Sequence, residues 1–354
     1  MKKKLLALIS VLIILATLLG CSASTNSGFA GTYWLPVASL SHEEGFYEKI
    51  EYEVSAEATT DYASSLYAIN SKLSFTVDSA KSSYVTELKS DGEGFVYSTT
   101  LNLSGTYAYV DQEKGINFTY YVDGDTTQTK SWFKNRDNGF ACTKSIQSTV
   151  NTLPLTAYPT MEDDFTKIIV STETVYGEKD ATHTVTSDDP STAILLNVNG
   201  KPITISDYKK DPYIDNALIP LIFRCFKYEN TLSYNFGTIE ISSGELKGSR
   251  GAARLATQTT EESSNTQSAV KTMVIDCKID GNSRMGVSFN TFGVSIATTG
   301  EYAQEYMTAY YANSIGNDVL DASNQSRHYM VKCYRPMIYN VCYLVYTLST
   351  VTHF

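Results

Sequence analysis

Residues 116–124 read Ile-Asn-Phe-Thr-Tyr-Tyr-Val-Asp-Gly, and this stretch decides the fold class. Its even-numbered positions, from Ile116 to Val122, carry large apolar side chains, whereas the positions between them are mostly polar. Because side chains on a strand alternate between two faces, this period of two predicts a β-strand with one buried face. Asp123-Gly124 is a pair typical of tight turns, so the sequence predicts a hairpin into a second strand over Thr127 to Phe133.

The same alternation continues in both directions from this stretch, over Ile50 to Val54, Leu73 to Val77, Tyr97 to Tyr109, Ile168 to Val170, Leu232 to Phe236 and Met273 to Ile279. It predicts a mainly β protein, with an α+β fold as the alternative, built on a curved antiparallel sheet or half-barrel with a few helices. Asn199-Gly200 predicts a further hairpin between strands Ile194 to Val198 and Pro202 to Ile205.

Two segments have helical spacing. Ala58 to Asn70 places Tyr62, Leu66 and Ile69 on one side, and we interpret it as a helical lid over the sheet. Thr298 followed by Glu301 is a capping-box pattern, and it predicts a helix with Tyr302, Tyr306 and Tyr310 on one stripe.

Composition breaks suggest two domains. Pro154, Pro159 and the acidic residues 162–164 interrupt the alternation, which divides the chain into a β-rich domain over 29–153 and a second over 164–354. Whether 164–354 is one domain or a continuation of the first sheet is left open. Residues 257–268 are nearly all Thr, Ser, Gln, Asn and Glu, which predicts an exposed, mobile loop. Pro336 to Phe354 contains no Asp, Glu, Lys or Arg, and its scattered polar residues favour a buried strand over a membrane span.

The first twenty-one residues resemble a bacterial lipoprotein signal. Lys2 to Lys4 precede an apolar run from Leu5 to Leu19, and Gly20 stands before Cys21. The run suits a secretory segment of about 7 to 15 residues better than a spanning helix of about 20. The resemblance implies removal of residues 1–20, a diacylglyceryl thioether on Cys21 and a tether over 21–28. It places the protein on the extracytoplasmic side of a bacterial membrane, held by its N-terminal lipid. An uncleaved anchor and cleavage elsewhere are the alternatives.

The charge argues against nucleic acid as a partner. Removing residues 1–20, with three lysines and no acids, changes the net charge from −10 to −13. Such a chain repels phosphate backbones, and no cluster of Lys or Arg reverses this locally.

The search for catalytic motifs favours a non-enzymatic protein, although the question stays open. No Gly-x-Ser-x-Gly elbow, Gly-rich phosphate loop or His-Glu-x-x-His occurs, and the four histidines are scattered singly. Ser131 and Lys134 match a Ser-x-x-Lys motif, but three such matches in a Ser-rich chain indicate chance. No cofactor and no metal site is predicted.

Five cysteines remain besides Cys21, and an odd number cannot pair completely: Cys142, Cys225, Cys277, Cys333 and Cys342. An exported location permits disulfides, and Cys333 with Cys342 is a candidate bridge across a hairpin. Buried free thiols are the alternative, because cysteine is among the residue types most often buried.

The layout of lipobox, tether and strand meander over residues 29–150 resembles the half-barrel lipid carriers of bacterial envelopes, typified by the Lol lipoprotein-localisation proteins. The resemblance implies binding of a lipid or another apolar or amphipathic ligand. Independently, the concave face of a partly closed sheet needs apolar cover from a helix or a ligand. The predicted inward residues that we assign to ligand contact are Leu66, Phe75, Tyr97, Phe118 and Tyr120, with ordinary core packing as the alternative for each.

Two other functions remain open at this stage. The 26 tyrosines and the acidic charge would also suit a surface adhesion or interaction protein that binds a protein or a glycan. An envelope polymer hydrolase would require two carboxylates in a cleft at glycosidase spacing. The number of membranes in the host and the oligomeric state do not follow from the sequence.

Overall fold

The computed structural model describes part of the chain, and all the strands named below lie within that part. The described residues are 45–58, 72–136, 139–156, 158–195, 200, 202–206, 213–222, 224, 233–242, 245–261, 270–281, 287–290, 293–296, 302–312, 329–337 and 341–353. The predicted lipoprotein signal with Cys21, the predicted tether over 21–28 and residues 59–70 of the predicted lid, with Leu66, lie outside them.

The described residues form eighteen strands, which belong to one hydrogen-bonded sheet. Their bounds are β1 Tyr47–Ala58, β2 Leu73–Val77, β3 Ser83–Asp91, β4 Gly94–Asp111, β5 Ile116–Arg136, β6 Gly139–Pro154, β7 Phe165–Tyr176, β8 Asp180–Thr186, β9 Ile203–Ser206, β10 Tyr213–Ile214, β11 Ser233–Ser242, β12 Glu245–Glu261, β13 Val270–Gly281, β14 Val287–Asn290, β15 Gly293–Ile296, β16 Tyr302–Ala312, β17 Met330–Pro336 and β18 Cys342–His353.

The sheet is antiparallel apart from one short pair. Neighbouring strands follow the order β9, β8, β7, β6, β5, β4, β3, β1, β18, β17, β16, β13, β12, β11 and β10. Among these described strands, β10 alone runs parallel to its neighbour, β11. β2 takes the place of β3 beside the second half of β4, and the β14–β15 hairpin joins at β11. Cα atoms of β9 approach those of β12 within 8 Å, so the sheet curves back toward its other end. The prediction of a mainly β, curved antiparallel sheet is confirmed.

Helical structure is sparse among the described residues. It comprises α1 (Pro190–Leu195), α2 (Ile219–Ile222) and two 3-10 turns at Glu162–Asp164 and Asn216–Leu218. Helix α1 replaces the start of the strand predicted over Ile194 to Val198. Its start has a local cause, since the Asp189 carboxylate accepts a hydrogen bond from the Thr192 amide (2.6 Å) and Pro190 takes the first helical position.

The turn predicted at Asp123-Gly124 is wrong, because β5 continues through it to Arg136. The pairing of β4 with β5 slips between Leu103 and Gly105, and Gly124 has a φ of 66° opposite this slip. The slip leaves the Gly124 amide outside the regular strand pairing, and this amide donates instead to the Ser104 hydroxyl (3.0 Å). Asp-Gly therefore forms a β-bulge, which bends the strand without ending it.

The helix predicted after Thr298 is also wrong within the described residues, since β16 occupies Tyr302–Ala312. The strand β12 likewise extends to Glu261, into the loop predicted over 257–268, because Thr259 to Glu261 pair with β13. Residues 262–268 of that loop lie outside the described residues.

The uncharged stretch from Pro336 is confirmed as a buried strand. It ends in β18, whose Val345, Tyr346 and Leu348 are buried, and β18 pairs with β1 along its whole length. The hydrophobic core contains residues from both predicted domains, among them Phe75, Phe165 and Leu348. β6 and β7 pair directly across the predicted boundary, and the division into two domains stays a prediction.

Candidate functional site

Five aromatic side chains form one contiguous group, which we call the aromatic wall: Phe75, Tyr107, Phe118, Tyr120 and Phe165. Phe165 is its centre, with its ring stacked on Tyr120 (4.2 Å between centroids) and 5.4 Å from Tyr107. The ring of Phe75 lies 4.7 Å from Tyr107, and that of Phe118 lies 6.1 Å from Phe165.

Strand register explains how the wall forms. Tyr107 on β4 lies directly between Phe75 on β2 and Tyr120 on β5, so all three side chains share one face. Gly105 makes room for them. A Cβ atom there would lie 2.6 Å from Cζ of Phe75, closer than two carbon atoms pack.

One side of the aromatic wall is open to solvent. Phe75 and Tyr107 are buried, whereas Phe118 and Tyr120 are only half-buried. Among the described residues, the stretch of β5 from Ile116 to Val122 pairs with β4 alone, because β6 begins to pair with β5 at Thr126. The two half-buried rings therefore stand at an edge of the sheet.

The connection from β6 to β7 borders this edge and exposes three apolar side chains, which we call the apolar lip. Leu155 is 55% exposed, Tyr158 52% and Met161 54%. The ring of Tyr158 packs edge-on against Tyr109 of β4 at 6.1 Å, which attaches the lip to the face that carries the aromatic wall.

The structure brings together three of the five predicted contact residues: Phe75, Phe118 and Tyr120. Tyr97 is buried elsewhere on the same inward face, opposite Leu88 and Ser131, and Leu66 lies outside the described residues. Sequence reasoning missed Tyr107 and Phe165. Tyr107 has the strand parity of Tyr97 and could have been included, whereas Phe165 reaches the wall only through tertiary packing.

A polar group is buried further along the inward face. Asp215 accepts hydrogen bonds from the hydroxyls of Tyr176 (2.5 Å), Ser145 (3.1 Å) and Ser131 (3.4 Å), and from the Ala217 amide (2.9 Å). Burial raises the pKa of this carboxyl above its usual value, although the four donors oppose that shift.

A buried ion pair lies at Glu48, which belongs to the row of paired residues that runs across the sheet to Ser131 and Ser145. The guanidinium of Arg224 donates to both carboxylate oxygens of Glu48 (2.7 and 3.1 Å), and it lies 5.0 Å from the ring centre of Tyr329. Burial acts to lower the pKa of Arg224, but the Glu48 carboxylate outweighs it and the pKa is raised. The pair is bidentate and nearly inaccessible to water, with 1% exposure at Glu48 and 4% at Arg224.

Asp215 and Arg224 belong to one stretch that crosses the concave face, and we call residues 213–222 and 224 the inner segment. Asp215 meets β6 at Ser145, and Arg224 meets β1 at Glu48. Four strand spacings separate β6 from β1, or about 19 Å at about 4.8 Å each. Between the two anchors, Leu218 and Leu221 are completely buried in the core. The inner segment therefore provides apolar cover for this face, whereas residues 59–70, to which the sequence assigned such cover, lie outside the described residues.

Other titratable groups have local partners. The Asp125 carboxylate accepts hydrogen bonds from the amide and the hydroxyl of Thr152, and burial raises its pKa. Lys72 donates to Asp111 at 2.8 Å. His183 is buried on β8, with its Nδ1 2.7 Å from the Thr174 hydroxyl, and burial lowers its pKa to about 4.

Cys142, Cys333 and Cys342 are free thiols. The proposed Cys333–Cys342 bridge is wrong, because Cys333 lies opposite Tyr346 and the sulfur of Cys342 lies 3.7 Å from that of Met337. Within the described chain, no group of three or more His, Cys, Asp or Glu side chains is placed to hold a metal ion. No described helix has the length and apolarity needed to cross a bilayer.

No protein family and no curated protein matches the chain. Among solved structures, the chain is similar to a β-barrel-like protein of the domain of unknown function DUF1849 from Brucella abortus. The TM-score is 0.43 at 6% sequence identity, over 87% of this chain and 98% of that chain.

Proposed function

We propose that this protein is a lipid-anchored, extracytoplasmic binding protein of a bacterial cell envelope, and that its aromatic wall contacts an apolar or amphipathic ligand. The anchor is the diacylglyceryl thioether on Cys21 that the signal-like residues 1–21 imply. The ligand contacts are Phe118 and Tyr120, with Phe75 behind them.

One observation carries the ligand proposal: Phe118 and Tyr120 face inward but are only half-buried, at a sheet edge bordered by the apolar lip. Inward aromatic side chains in a closed core are normally covered by other core residues. Here the ring of Phe165 covers one side, and an apolar chain laid along the edge would cover the other. Burying the remaining apolar area would stabilise such a complex by about 25 cal/mol per Å².

The position of the wall favours an amphipathic ligand over a purely apolar one. The edge is open to water, because Phe118 and Tyr120 are only half-buried. A ligand whose acyl chain lies on these two rings would keep its polar head group in the water beside this edge.

Ligand binding can be measured with the chain from Ser22 onward, which retains every described residue. A fluorescent fatty acid is titrated into the wild type and into Phe118→Ala and Tyr120→Ala. Each substitution is expected to weaken binding roughly tenfold, the equivalent of about 1.4 kcal/mol, because it removes part of the apolar contact. Tyr121→Ala is the matched control, since Tyr121 is the adjacent residue on the opposite face of β5 and is 48% exposed. Equal effects of all three substitutions, or no uptake by the wild type, would contradict the proposal.

The anchor is tested separately by mass spectrometry of the mature N-terminus. A diacylglyceryl group on an N-terminal Cys21 is expected, and an unmodified Cys21 would refute the lipid anchor without bearing on the ligand.

A further inference from the structure

The apolar lip is the most concentrated exposed apolar surface of the described residues. Three of the six large hydrophobic side chains that are substantially exposed, Leu155, Tyr158 and Met161, fall within seven positions of one connection. The others, Val110, Tyr121 and Val175, lie singly on strands.

Hydrogen bonds hold the backbone of the lip in place. The side chain of Asp164 accepts from the amides of Thr160 (2.6 Å) and Met161 (3.1 Å). The backbone carbonyl of Asp164 accepts from Leu155 (2.7 Å), and its amide donates to Met161 (3.1 Å). Because both ends of the connection are tied to one residue, the lip cannot bury its side chains by collapsing onto the sheet without breaking these bonds.

We propose that the apolar lip is a membrane-contact element, which inserts Leu155, Tyr158 and Met161 into the interface of a lipid bilayer. The inference rests on the proposed lipid anchor, which would keep the protein at a membrane. It adds a second contact through the folded domain itself, next to the edge where Phe118 and Tyr120 are half-buried.

The size and chemistry of the lip favour a bilayer over a protein partner. Three half-exposed side chains present roughly 300 Å², whereas a stable protein interface needs about 800 Å² from each partner. Leu and Met are aliphatic and suit the acyl region, and Tyr suits the head-group level, where its hydroxyl stays hydrated. The exposed acids Glu162 and Asp163 directly follow Met161, so the contact should favour zwitterionic over anionic lipid.

The covalent chain permits a lipid on Cys21 and the lip to meet the same membrane. Gly45, the first described residue, follows Cys21 by 24 positions, and 24 residues span at most about 80 Å. The start of β1 is connected to Lys144 of β6 through the row of paired residues Tyr47, Lys89, Val96, Trp132 and Lys144. Ten further residues along β6 lead to Pro154 beside the lip, or roughly 33 Å. The lip is therefore within covalent reach of a membrane that holds the lipid.

Depth-dependent quenching tests the proposal on the full-length protein reconstituted into phosphatidylcholine vesicles. Met161→Trp places a fluorescent reporter in the lip, and Val175→Trp places one at a single exposed valine on β7 (46% exposed). With brominated acyl chains, emission from the lip reporter is expected to be quenched roughly twofold more than emission from the β7 reporter, since an inserted side chain lies about 5–10 Å into the interface. The signal from the native Trp34 and Trp132 is subtracted with the wild type.

The outcomes separate this inference from the proposed function. Equal quenching of the two reporters would overturn membrane contact by the lip, and it would leave the fatty-acid titration and the Cys21 measurement untouched. Replacing half of the phosphatidylcholine with phosphatidylglycerol is expected to weaken the quenching of the lip reporter. Stronger quenching in anionic vesicles would overturn the assigned lipid preference.

Discussion

At the scale of single residues, His183 shows how the interior affects titration. Its Nδ1 lies 2.7 Å from the Thr174 hydroxyl, and Nε2 has no hydrogen-bond partner among the described residues. Burial penalises the charged imidazolium and lowers the pKa of His183 from 6.5 to about 4. The His183 imidazole is therefore neutral in the folded protein at neutral pH.

This burial predicts a loss of stability in acid. Between pH 6.5 and about 4 the unfolded chain binds a proton at His183 that the folded chain does not, so this contribution is complete above pH 6.5 and declines as the pH falls. The difference between the two pKa values corresponds to about 3 kcal/mol at most. Urea unfolding at a series of pH values should show a shallower decline for His183→Gln than for the wild type. Parallel curves would contradict the assignment.

At the scale of elements, Gly105 is the position in β4 where the aromatic wall leaves no room for a side chain. Gly105→Ala would force Phe75 or the backbone near Thr76 to move, and overpacking of this kind costs about 1–3 kcal/mol. Gly115→Ala is the control, because Gly115 has a φ of 66° but nothing within 4 Å, so alanine there meets only backbone strain of about 1 kcal/mol. Chemical denaturation measures both. A smaller cost at Gly105 than at Gly115 would show that the packing around Phe75 is looser than described.

Element by element, period-two alternation predicted the strands well, and the errors have identifiable causes. Tyr302, Tyr306 and Tyr310 are spaced by four, which fits one face of a helix but equally one face of a strand, because four is a multiple of two. Asp123-Gly124 permits a bulge as readily as a turn, and only the partner strand decides between them. In contrast, the helix start at Asp189-Pro190 could have been predicted from the sequence, because Asp is a common N-cap residue and Pro is common at the first helical position.

The candidate site was partly predictable for the same reason. Alternation placed Phe75, Phe118 and Tyr120 on inward faces, and register then brought them together. Phe165, Asp215 and Arg224 were not predictable, because the side chains that each contacts lie 39 or more positions away in the sequence and are reached through tertiary packing. No local pattern encodes such a contact.

At the scale of the whole molecule, the Glu48–Arg224 pair holds the inner segment against β1. Arg224→Met would leave the Glu48 carboxylate buried without its cation, which costs about 3–5 kcal/mol. Glu48→Leu combined with Arg224→Met removes both charges and is expected to recover much of that loss. Thermal unfolding of the two single variants and the double variant forms the cycle. A double variant as unstable as the two losses added together would show that the pair does not act as a unit.

The pairing of β1 with β18 also determines when this chain can fold. Glu48 lies opposite His353 and Ala58 opposite Cys342, so one of the two long edges of β1 is satisfied only by a segment roughly 300 residues further along the chain. Contacts between such distant positions make folding slow. Until β18 arrives, β1 presents an unpaired edge that other nascent chains could join. During folding this protein therefore depends on being kept apart from its own copies, and a chain truncated before Cys342 should aggregate rather than persist as a smaller sheet.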